Sequence, residues 1–376
     1  PHDMMPEQLT YSEWLNSQFA TTGVEFTDGR FGGNLPSGIV GSCQDCHMPN
    51  IFTGGCFAFE SEPFFPRPDM PQHSFAGANT WVLKAVRALY PDSETGLTDT
   101  TVDSAVARTM DMLRAASDTE AVQLGDQLKV RVINYSGHKL PTGYPEGRRM
   151  WVNVKYYDAT DQLIDERGAY DFVAAELDDS DTKVYRAEHG IDQAVADATN
   201  LTPGKTFHLV LNNVRVFDNR IPPIGWTNAA YEAFDGDPIG QTYADGQHWD
   251  DTEYSIPSQA VRAVVTLYHQ SMTKEYIEFL RDTNTTNNDG QVVYDLWDDP
   301  AVGNRVPPVD MDVVEVDLSM GPLGELTGDG MINSNDLFAL LGAWGECPGP
   351  SLCPEDLNCD GLINAADLFI LLGNWG

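Results

Sequence analysis

The sequence predicts a mixed α and β protein of several domains: helices and loops first, an antiparallel β-sandwich in the centre, and a C-terminal pair of loop–helix units. Apolar residues first recur at helical spacing, then alternate with polar residues, and a 21-residue stretch finally occurs twice. A chain of 376 residues is long enough for two or three hydrophobic cores. We therefore place domains at residues 1–122, 123–320 and 321–376.

The first region is predicted to consist of helices joined by long loops. Tyr11, Leu15 and Phe19 recur at i, i+4 and i+8, and residues 79–90 are predicted to form a short helix. A further helical stripe consists of Val102, Val106, Met110 and Leu113. Gly, Pro and Phe dominate the stretch between these helices, which is the composition of a loop.

The central region changes to a period of two, which is typical of strands with one buried face. The alternating apolar sets are Leu128, Val130 and Val132; Met150, Val152, Val154 and Tyr156; Phe207, Leu209 and Leu211; and Val261, Ala263, Val265 and Leu267. Turn clusters separate these sets, which favours an antiparallel sandwich. A helix is expected at residues 272–281.

A Cys-x-x-Cys-His motif lies within the first region, at residues 43–47. Two thiols at this spacing suit a redox dithiol or half a zinc site, but a His in the next position is typical of covalent haem c attachment. We therefore predict one covalent haem c, bonded to Cys43 and Cys46, with His47 as the proximal axial ligand. Arg148 and Arg149 could pair with its propionates, or with acidic neighbours at the surface.

The sixth position of the haem iron has several candidates, and an open site is the alternative. His73 precedes a predicted helix, and His138 lies in a Gly- and Pro-rich turn that leaves a strand. Each of them could instead be a structural histidine. His2, from this chain or from a neighbouring subunit, and Met70 are weaker candidates.

The internal repeat aligns residues 325–345 with 356–376, and thirteen of the 21 positions are identical. Each copy places oxygen-bearing groups at positions 1, 3, 5, 7, 9 and 12 of a calcium loop. In the second copy these are Asp356, Asn358, Asp360, the carbonyl of Leu362, Asn364 and Asp367; in the first they are Glu325, Thr327, Asp329, Met331, Asn333 and Asp336. The pattern predicts two Ca²⁺ ions, and an acidic hairpin without metal is the alternative.

Further acidic loops and cysteines leave other options open. Two acidic groups could bind more Ca²⁺, although this is the less expected interpretation. They are Asp178, Asp179 and Asp181, and Asp245, Asp250 and Asp251. Cys347 and Cys353 flank the linker between the repeats and could form a disulfide. The pairing of Cys56 and Cys359 stays undetermined.

The repeats resemble the dockerin type I family over residues 322–376, because an Asp stands at position 12 and the entering helix is missing. The resemblance implies two Ca²⁺ ions and docking to a cohesin or to another protein surface. Glu325 and Thr327 depart from the usual Asp and Asn, which implies weaker binding in the first loop.

Five motifs together resemble a family of bacterial extracytoplasmic multihaem c-type cytochromes over about residues 6–310. They are CQDCHMP, HSFAGAN, GHKLPTGYPEGRRMW, FDNRIPPIGW and YHQSMTKEYIEFL. The resemblance implies a β-sandwich behind the haem segment, with His73 and His138 as distal ligands of different haems. Because this chain has a single attachment motif, one of the two lacks its haem; we favour His73 as the ligand, since it is nearer to the motif.

The composition limits the partners and the location of the protein. Acidic residues number 57 against 22 basic ones, and the formal net charge of −35 disfavours nucleic acid and anionic membranes as partners. No apolar run reaches the length of about 18 residues that a membrane span needs. Haem attachment and cysteine pairing favour an extracytoplasmic location: secreted, at the cell surface or in the periplasm. The start at Pro1, with no signal-like segment, is expected of a processed chain.

Three functions fit these features, in the following order. The first is electron transfer between redox partners through a haem with two His ligands. The second is a structural or adhesive extracellular protein, a homo-oligomer or filament, whose haem and Ca²⁺ are structural and whose C-terminal repeats contact neighbouring subunits. The third is a haem enzyme with an open site, which is least expected.

Overall fold

The computed structural model describes residue 5 and residues 7–54, 66–318 and 321–376. Its helices are α1 (Thr10–Leu15), α2 (Cys43–His47), α3 (Val82–Leu89), α4 (Asp92–Thr95), α5 (Asp99–Ala115), α6 (Gln193–Thr199), α7 (Asn228–Glu232), α8 (Lys274–Thr283), α9 (Asp289–Asp298), α10 (Ser334–Gly342) and α11 (Ala365–Gly373). Within the described residues, none of these helices combines the length and apolar character needed to cross a membrane.

The strands pair in antiparallel sheets, so the predicted mixed α and β class is confirmed. They are β1 (Val24–Glu25), β2 (Ile39–Val40), β3 (Asn50–Gly54), β4 (Pro66–Pro71), β5 (Ser117–Leu124), β6 (Gln127–Asn134), β7 (Arg149–Tyr157), β8 (Leu163–Arg167), β9 (Tyr170–Asp171), β10 (Glu176–Leu177), β11 (Val184–Tyr185), β12 (Ala187–Ile191), β13 (Gly204–Lys205), β14 (Val214–Asp218), β15 (Trp249–Ser255), β16 (Arg262–Gln270), β17 (Val309–Asp317), β18 (Gly345–Glu346) and β19 (Leu362–Ile363).

Two of these sheets enclose the largest core. One has the strand order β11-β7-β16-β17, with β8 also paired to β7, and the other has the order β15-β6-β5. Alternate residues of facing strands, such as Val130 on β6 and Val152 and Val265 on β7 and β16, are at most 1% exposed and share one cluster. Each such side chain stabilises the fold by about 1.5–3 kcal/mol. The predicted apolar positions of β6, β7 and β16 are buried, but Trp151 and Asn153 between them are buried as well, so β7 is covered on both faces. β5 already begins at Ser117, ahead of the boundary placed at residue 123.

The strand predicted around Phe207, Leu209 and Leu211 is wrong. Leu209–Leu211 is a short 3₁₀ helix, and Val210 within it is 96% exposed. Its amides bond locally, because Leu211 N donates to His208 O at 2.8 Å rather than to a neighbouring strand. The alternation of apolar residues in this segment therefore does not correspond to a strand.

The N-terminal region contains more sheet and less helix than the sequence predicts. β1 pairs with β2, and β3 pairs with β4. α1 ends at Leu15, before Phe19, and Tyr11 on it is 66% exposed. The predicted short helix at 79–90 is present as α3, and α5 buries Val102 and Leu113 as expected.

The C-terminal repeats form a small core of their own. Equivalent positions of the two copies are buried in it, among them Ile332 with Ile363 and Leu340 with Leu371. Arg131 of β6 donates to Pro350 O at 2.7 Å, which joins the linker between the copies to the sandwich. The linker carries the Cys347–Cys353 disulfide that the sequence allowed. Cys359 is free, and Cys56 lies outside the described residues.

Candidate functional site

The Cys-x-x-Cys-His motif forms the single short helix α2. Ser42 and Asp45 cap it reciprocally: Asp45 N donates to Ser42 Oγ at 3.3 Å, and Ser42 N donates to Asp45 Oδ2 at 2.8 Å. Residues three and four apart share one helix face, so Cys43, Cys46 and His47 point to the same side. Both thiols are free of disulfides. All three residues line one cavity.

This cavity, the His47 cavity, has a volume of about 610 Å³ and lies between α1, α2, α5 and the loop at 136–143. Apolar side chains make up most of its wall, namely Tyr11, Trp14, Phe19, Phe31, Met112 and Leu113. Cofactor sites typically have volumes of about 300–1,000 Å³ and apolar walls. The exposure of Tyr11 therefore has a reason, since its ring faces this cavity rather than a protein core.

His138 faces His47 across the cavity. The two ring centroids are 6.4 Å apart, and the ring planes are inclined by only 17°. A metal–imidazole bond of about 2.0–2.1 Å places the centroids of two rings that share one metal roughly 6 Å apart. The two rings are therefore spaced as a pair of axial ligands would be.

Each of these imidazoles is oriented by a backbone carbonyl. His47 Nδ1 donates to Ala76 O at 2.5 Å, and His138 Nδ1 donates to Lys139 O at 3.1 Å. Because a carbonyl only accepts, both Nδ1 atoms carry the proton and both Nε2 atoms keep a lone pair. Burial lowers the pKa of His138, which favours its neutral form. Both rings can thus bind a metal through Nε2.

His73 occupies a different place from the one that the sequence favours. It is exposed, it does not line the His47 cavity, and its ring contacts Phe75. Its neighbours support the proximal histidine instead: Ser74 Oγ donates to His47 O at 3.1 Å, and Ala76 O holds the His47 ring. The geometry therefore reverses the preference for His73 over His138.

Of the two weaker candidates for the sixth position, only Met70 belongs to the part of the chain that the structure describes. Met70 lies on β4 and is not part of the cavity wall. His2 is outside the described residues.

A buried ionic cluster holds the loop that carries His138. Glu13 on α1 accepts from Lys139 N at 3.0 Å and from Arg220 Nη2 at 3.2 Å. Asp218 on β14 accepts from Lys139 Nζ at 2.8 Å and from Arg220 Nη2 at 2.7 Å. Burial alone would raise the pKa of Asp218, but Arg220 and Lys139 hold it well below its usual range. Two cations balance two carboxylates, and the cluster ties three chain segments together.

Arg148 lines the His47 cavity without a carboxylate partner among the described residues. Its Nη1 donates to Thr142 O, and its Nε has no partner. An unpaired guanidinium beside an apolar cavity suits the carboxylate of a porphyrin. The residues present therefore fit a haem. Arg149, the other predicted propionate partner, instead donates to Gln270 Oε1 at 2.9 Å and lines a second cavity.

His269 also lines the His47 cavity, although no role for it was predicted from the sequence. It is 2% exposed, and burial together with the nearby Arg148 lowers its pKa to about 3. The signal was present in the sequence, since strand alternation puts His269 on the same face of β16 as the buried Val265 and Leu267.

The first repeat loop brings three carboxylates together. Oxygen atoms of Glu325, Asp329 and Asp336 lie within 4.8 Å of one another. Thr327 Oγ1 donates to Asp336 Oδ1 at 3.0 Å, so this residue supports the carboxylate at position 12. Asn333 Nδ2 donates to Asp329 Oδ2 at 2.8 Å. Met331, at position 7, is exposed and also belongs to the loop.

The second repeat loop is closed by backbone hydrogen bonds to its carboxylates. Asp356 Oδ2 accepts from Gly361 N at 2.8 Å, and Asp367 Oδ2 accepts from Asn364 N at 2.8 Å. Asn358 Nδ2 donates to Asp360 Oδ2 at 3.1 Å, and Leu362 N donates to Asp360 Oδ1 at 2.9 Å. The sequence favoured this loop for tight binding, whereas in the described residues the first loop has the closer carboxylates.

Each of the two repeats exposes apolar residues in and just after its helix, and we call these residues together the repeat face. It consists of Phe338, Leu341 and Trp344 of the first copy and Phe369, Leu372 and Trp375 of the second, each 45–71% exposed. Leu371, which precedes Leu372 on α11, is by contrast fully buried.

The acidic groups that were a minority case for further Ca²⁺ are bonded to protein groups. Asp250 pairs with Lys183 at 3.0 Å, and Asp251 pairs with Arg131 at 2.6 Å. Asp181 Oδ1 accepts from the backbone, as does Asp245 Oδ1. These contacts give the acids a structural role.

No known family matches the chain, and no curated protein is similar to it. Among solved structures, a penta-heme cytochrome c552 from Thermochromatium tepidum is similar, with 15% sequence identity and a TM-score of 0.35. The match covers 56% of this chain and 41% of that cytochrome, so the chain spans less than half of its length. A likeness this weak does not assign the chain to a fold family.

Proposed function

We propose that the protein is an extracytoplasmic c-type cytochrome that transfers electrons through one haem bonded to Cys43 and Cys46. His47 and His138 are the residues that would hold its iron. The single observation that carries the proposal is the pair of near-parallel imidazoles 6.4 Å apart, beside two free thiols on one helix face. A haem bound here would supply a one-electron couple at iron, whose potential depends on the axial ligands and the burial of the site.

The chain's own residues would hold the site rigid and dry. Ala76 O and Lys139 O orient the two imidazoles, while Trp14, Phe19 and Phe31 exclude water from the cavity. Arg148 offers its unpaired guanidinium to a propionate. With an imidazole on each side of the metal position, exchange of small molecules at iron is disfavoured, which argues against an open-site enzyme.

We further propose that the C-terminal repeats bind Ca²⁺ and dock the protein to a partner. The support for Ca²⁺ is the spacing of acids in both loops and the converging carboxylates of Glu325, Asp329 and Asp336. The support for docking is the repeat face, because large exposed apolar patches mark interaction surfaces. A structural or adhesive role is the second candidate function, and the same face is the observation that favours it.

The test is to produce the protein in a host that attaches haem c, and to measure its mass under denaturing conditions together with its visible spectrum. The expected result is a mass increase of one haem, a low-spin spectrum in the reduced protein, and no spectral change on adding carbon monoxide. A mass without the adduct would refute the cytochrome proposal. A carbon monoxide complex formed at once would refute the two-histidine ligation.

A further inference from the structure

A second cavity, the Arg149 cavity, lies beside the His47 cavity and has a volume of about 180 Å³. Its wall is formed by the turn that leads into β7, by β12 and by the first turn of α8, including Glu146, Arg149, His189, Thr273 and Glu275. The volume is below the range of about 300–1,000 Å³ that drug-sized ligands and cofactors occupy. The cavity therefore has room only for a small molecule.

Arg149 is a buried cation without a tight carboxylate partner. It is 7% exposed, its Nε donates to the neutral Gln270 Oε1, and its Nη2 has no hydrogen-bond partner among the described residues. Glu275 is the carboxylate near it, at 3.7 Å from Nη1, with more than half of its side chain exposed. Such a pair stabilises little. In a chain with 57 acidic residues, a buried guanidinium whose ion pair is this long and exposed indicates a place for an external anion.

The first turn of α8 adds backbone donors to the same wall. α8 has ten residues, and its N-cap residue Thr273 makes no side-chain hydrogen bond to the first turn. Thr273 and Glu275 both line the cavity. The free amides and the positive end of a helix favour an anion at this position. Arg149 and the start of α8 thus offer donors to the same small space.

Glu146 provides a hydrogen-bond acceptor in the same cavity. It is 5% exposed, its Oε1 accepts from His189 Nδ1 at 3.2 Å, and its Oε2 has no hydrogen-bond partner in the part of the chain that the structure describes. A buried carboxylate oxygen without a donor is costly, so an occupant that brings a donor would satisfy it.

The other charged residues of the cavity wall are already paired. Lys205 Nζ donates to Glu188 Oε1 at 2.6 Å, and Arg186 Nη1 donates to Asp179 Oδ2 at 3.1 Å. Arg148 lines both cavities, and we have proposed that it binds a haem propionate. Two kinds of group in the Arg149 cavity therefore still lack a hydrogen-bond partner among the described residues. They are the donors of Arg149 and the first turn of α8, and the acceptor of Glu146.

We propose that the Arg149 cavity binds a small carboxylate that also carries a hydrogen-bond donor, such as a hydroxy acid or an amino acid. The carboxylate of the occupant meets Arg149 Nη2 and the start of α8, and its hydroxyl or ammonium group donates to Glu146 Oε2. Carboxylate chemistry could also come from a haem propionate that reaches past Arg148, and the experiment separates the two sources.

The test titrates acetate, glycolate and glycine into the full-length haem-loaded protein and follows binding by calorimetry. These probes share a carboxylate and differ in having no donor, a hydroxyl or an ammonium group. Glycolate and glycine are expected to bind more tightly than acetate. Arg149→Gln is expected to weaken all three by at least about tenfold, because a charged hydrogen bond is lost. Glu146→Gln is expected to remove most of the advantage of glycine over acetate.

Arg262→Gln is the matched control, because Arg262 lies on the neighbouring strand β16 in a surface ion pair with Asp161. It should leave all three affinities unchanged. The proposal is overturned if none of the probes binds the wild-type protein, or if Arg262→Gln weakens binding as much as Arg149→Gln. Equal affinities for acetate and glycine would overturn the role of Glu146.

The haem propionate is the occupant, and the proposal fails, if no probe binds while Arg149→Gln shifts the reduction potential of the haem. Should Arg149→Gln not fold, the order of affinities in the wild-type protein and its loss in Glu146→Gln decide the matter. The site does not depend on the cytochrome proposal, since the argument for it uses only Arg149, Glu146 and the start of α8.

Discussion

Glu13 and Lys139 are joined by a hydrogen bond of 3.0 Å from Lys139 N to Glu13 Oε2, although 126 residues separate them. Glu13 lies on α1, and Lys139 directly follows His138. This bond, with the ion pair of Lys139 Nζ to Asp218, determines where the loop after β6 presents the His138 ring. A buried carboxylate on α1 thus positions the imidazole of a distant loop that lines the His47 cavity.

We expect Glu13→Ala to destabilise the protein and to loosen His138. Removing one partner of a buried ion pair costs about 3–5 kcal/mol, because the remaining charge is buried without compensation. Urea unfolding measures the stability, and the low-spin fraction of the haem spectrum reports the position of His138. Glu25→Ala, on the exposed residue of β1, is the control and should change the stability by less than about 0.5 kcal/mol. An unchanged stability in Glu13→Ala would contradict the positioning role.

We expect His138→Ala to convert the haem to a high-spin form that binds carbon monoxide, and His73→Ala to leave the spectrum unchanged. The reason is that His138 faces His47 in the cavity, whereas His73 is exposed outside it. Visible spectra of the reduced variants, with and without carbon monoxide, are the measurement. High-spin haem in His73→Ala alone would show that the sixth ligand is the other histidine.

The stability should fall in acid partly because of Asp218. Its pKa is depressed in the folded protein by Arg220 and Lys139, relative to about 3.9 in an unfolded chain. The unfolded state therefore binds the proton first, and stability that is present above about pH 4 is lost as the pH falls towards the folded pKa. Asp218→Asn should show a smaller slope of stability against pH below about pH 4. Asp103→Asn, on the exposed side of α5, should keep the wild-type slope.

Calcium should raise the unfolding temperature of the C-terminal repeats, and a chelator should reverse the effect. A ligand at about 100 times its Kd stabilises the folded state by about 2.7 kcal/mol. We expect the variants Asp336→Asn and Asp367→Asn each to remove part of this gain, since each changes the carboxylate at position 12 of one loop. Calorimetry with Ca²⁺ and then EDTA checks this. Equal melting of the double variant and the wild type in Ca²⁺ would contradict metal binding in both loops.

Local patterns determined much of what is now known of this chain. The motif at residues 43–47 lies on one short helix, so its spacing alone predicts that the two thiols and the imidazole share a helix face. Alternation of apolar residues on β6 and β7 predicted strands because every second side chain of a strand points to the same face. The same rule failed for Leu209–Leu211, because this segment forms a 3₁₀ helix and not a paired strand.

The pairing of distant residues was decided only by the tertiary structure. Nearness to the motif in sequence favoured His73, but the fold turns the backbone of that segment towards His47 and brings in the ring of His138 from the sandwich. The tertiary structure also separates two adjacent arginines, because Arg148 lines the His47 cavity and Arg149 does not. Covalent spacing limits what a residue can contact within a turn of helix, whereas contacts across the chain depend on how the segments pack.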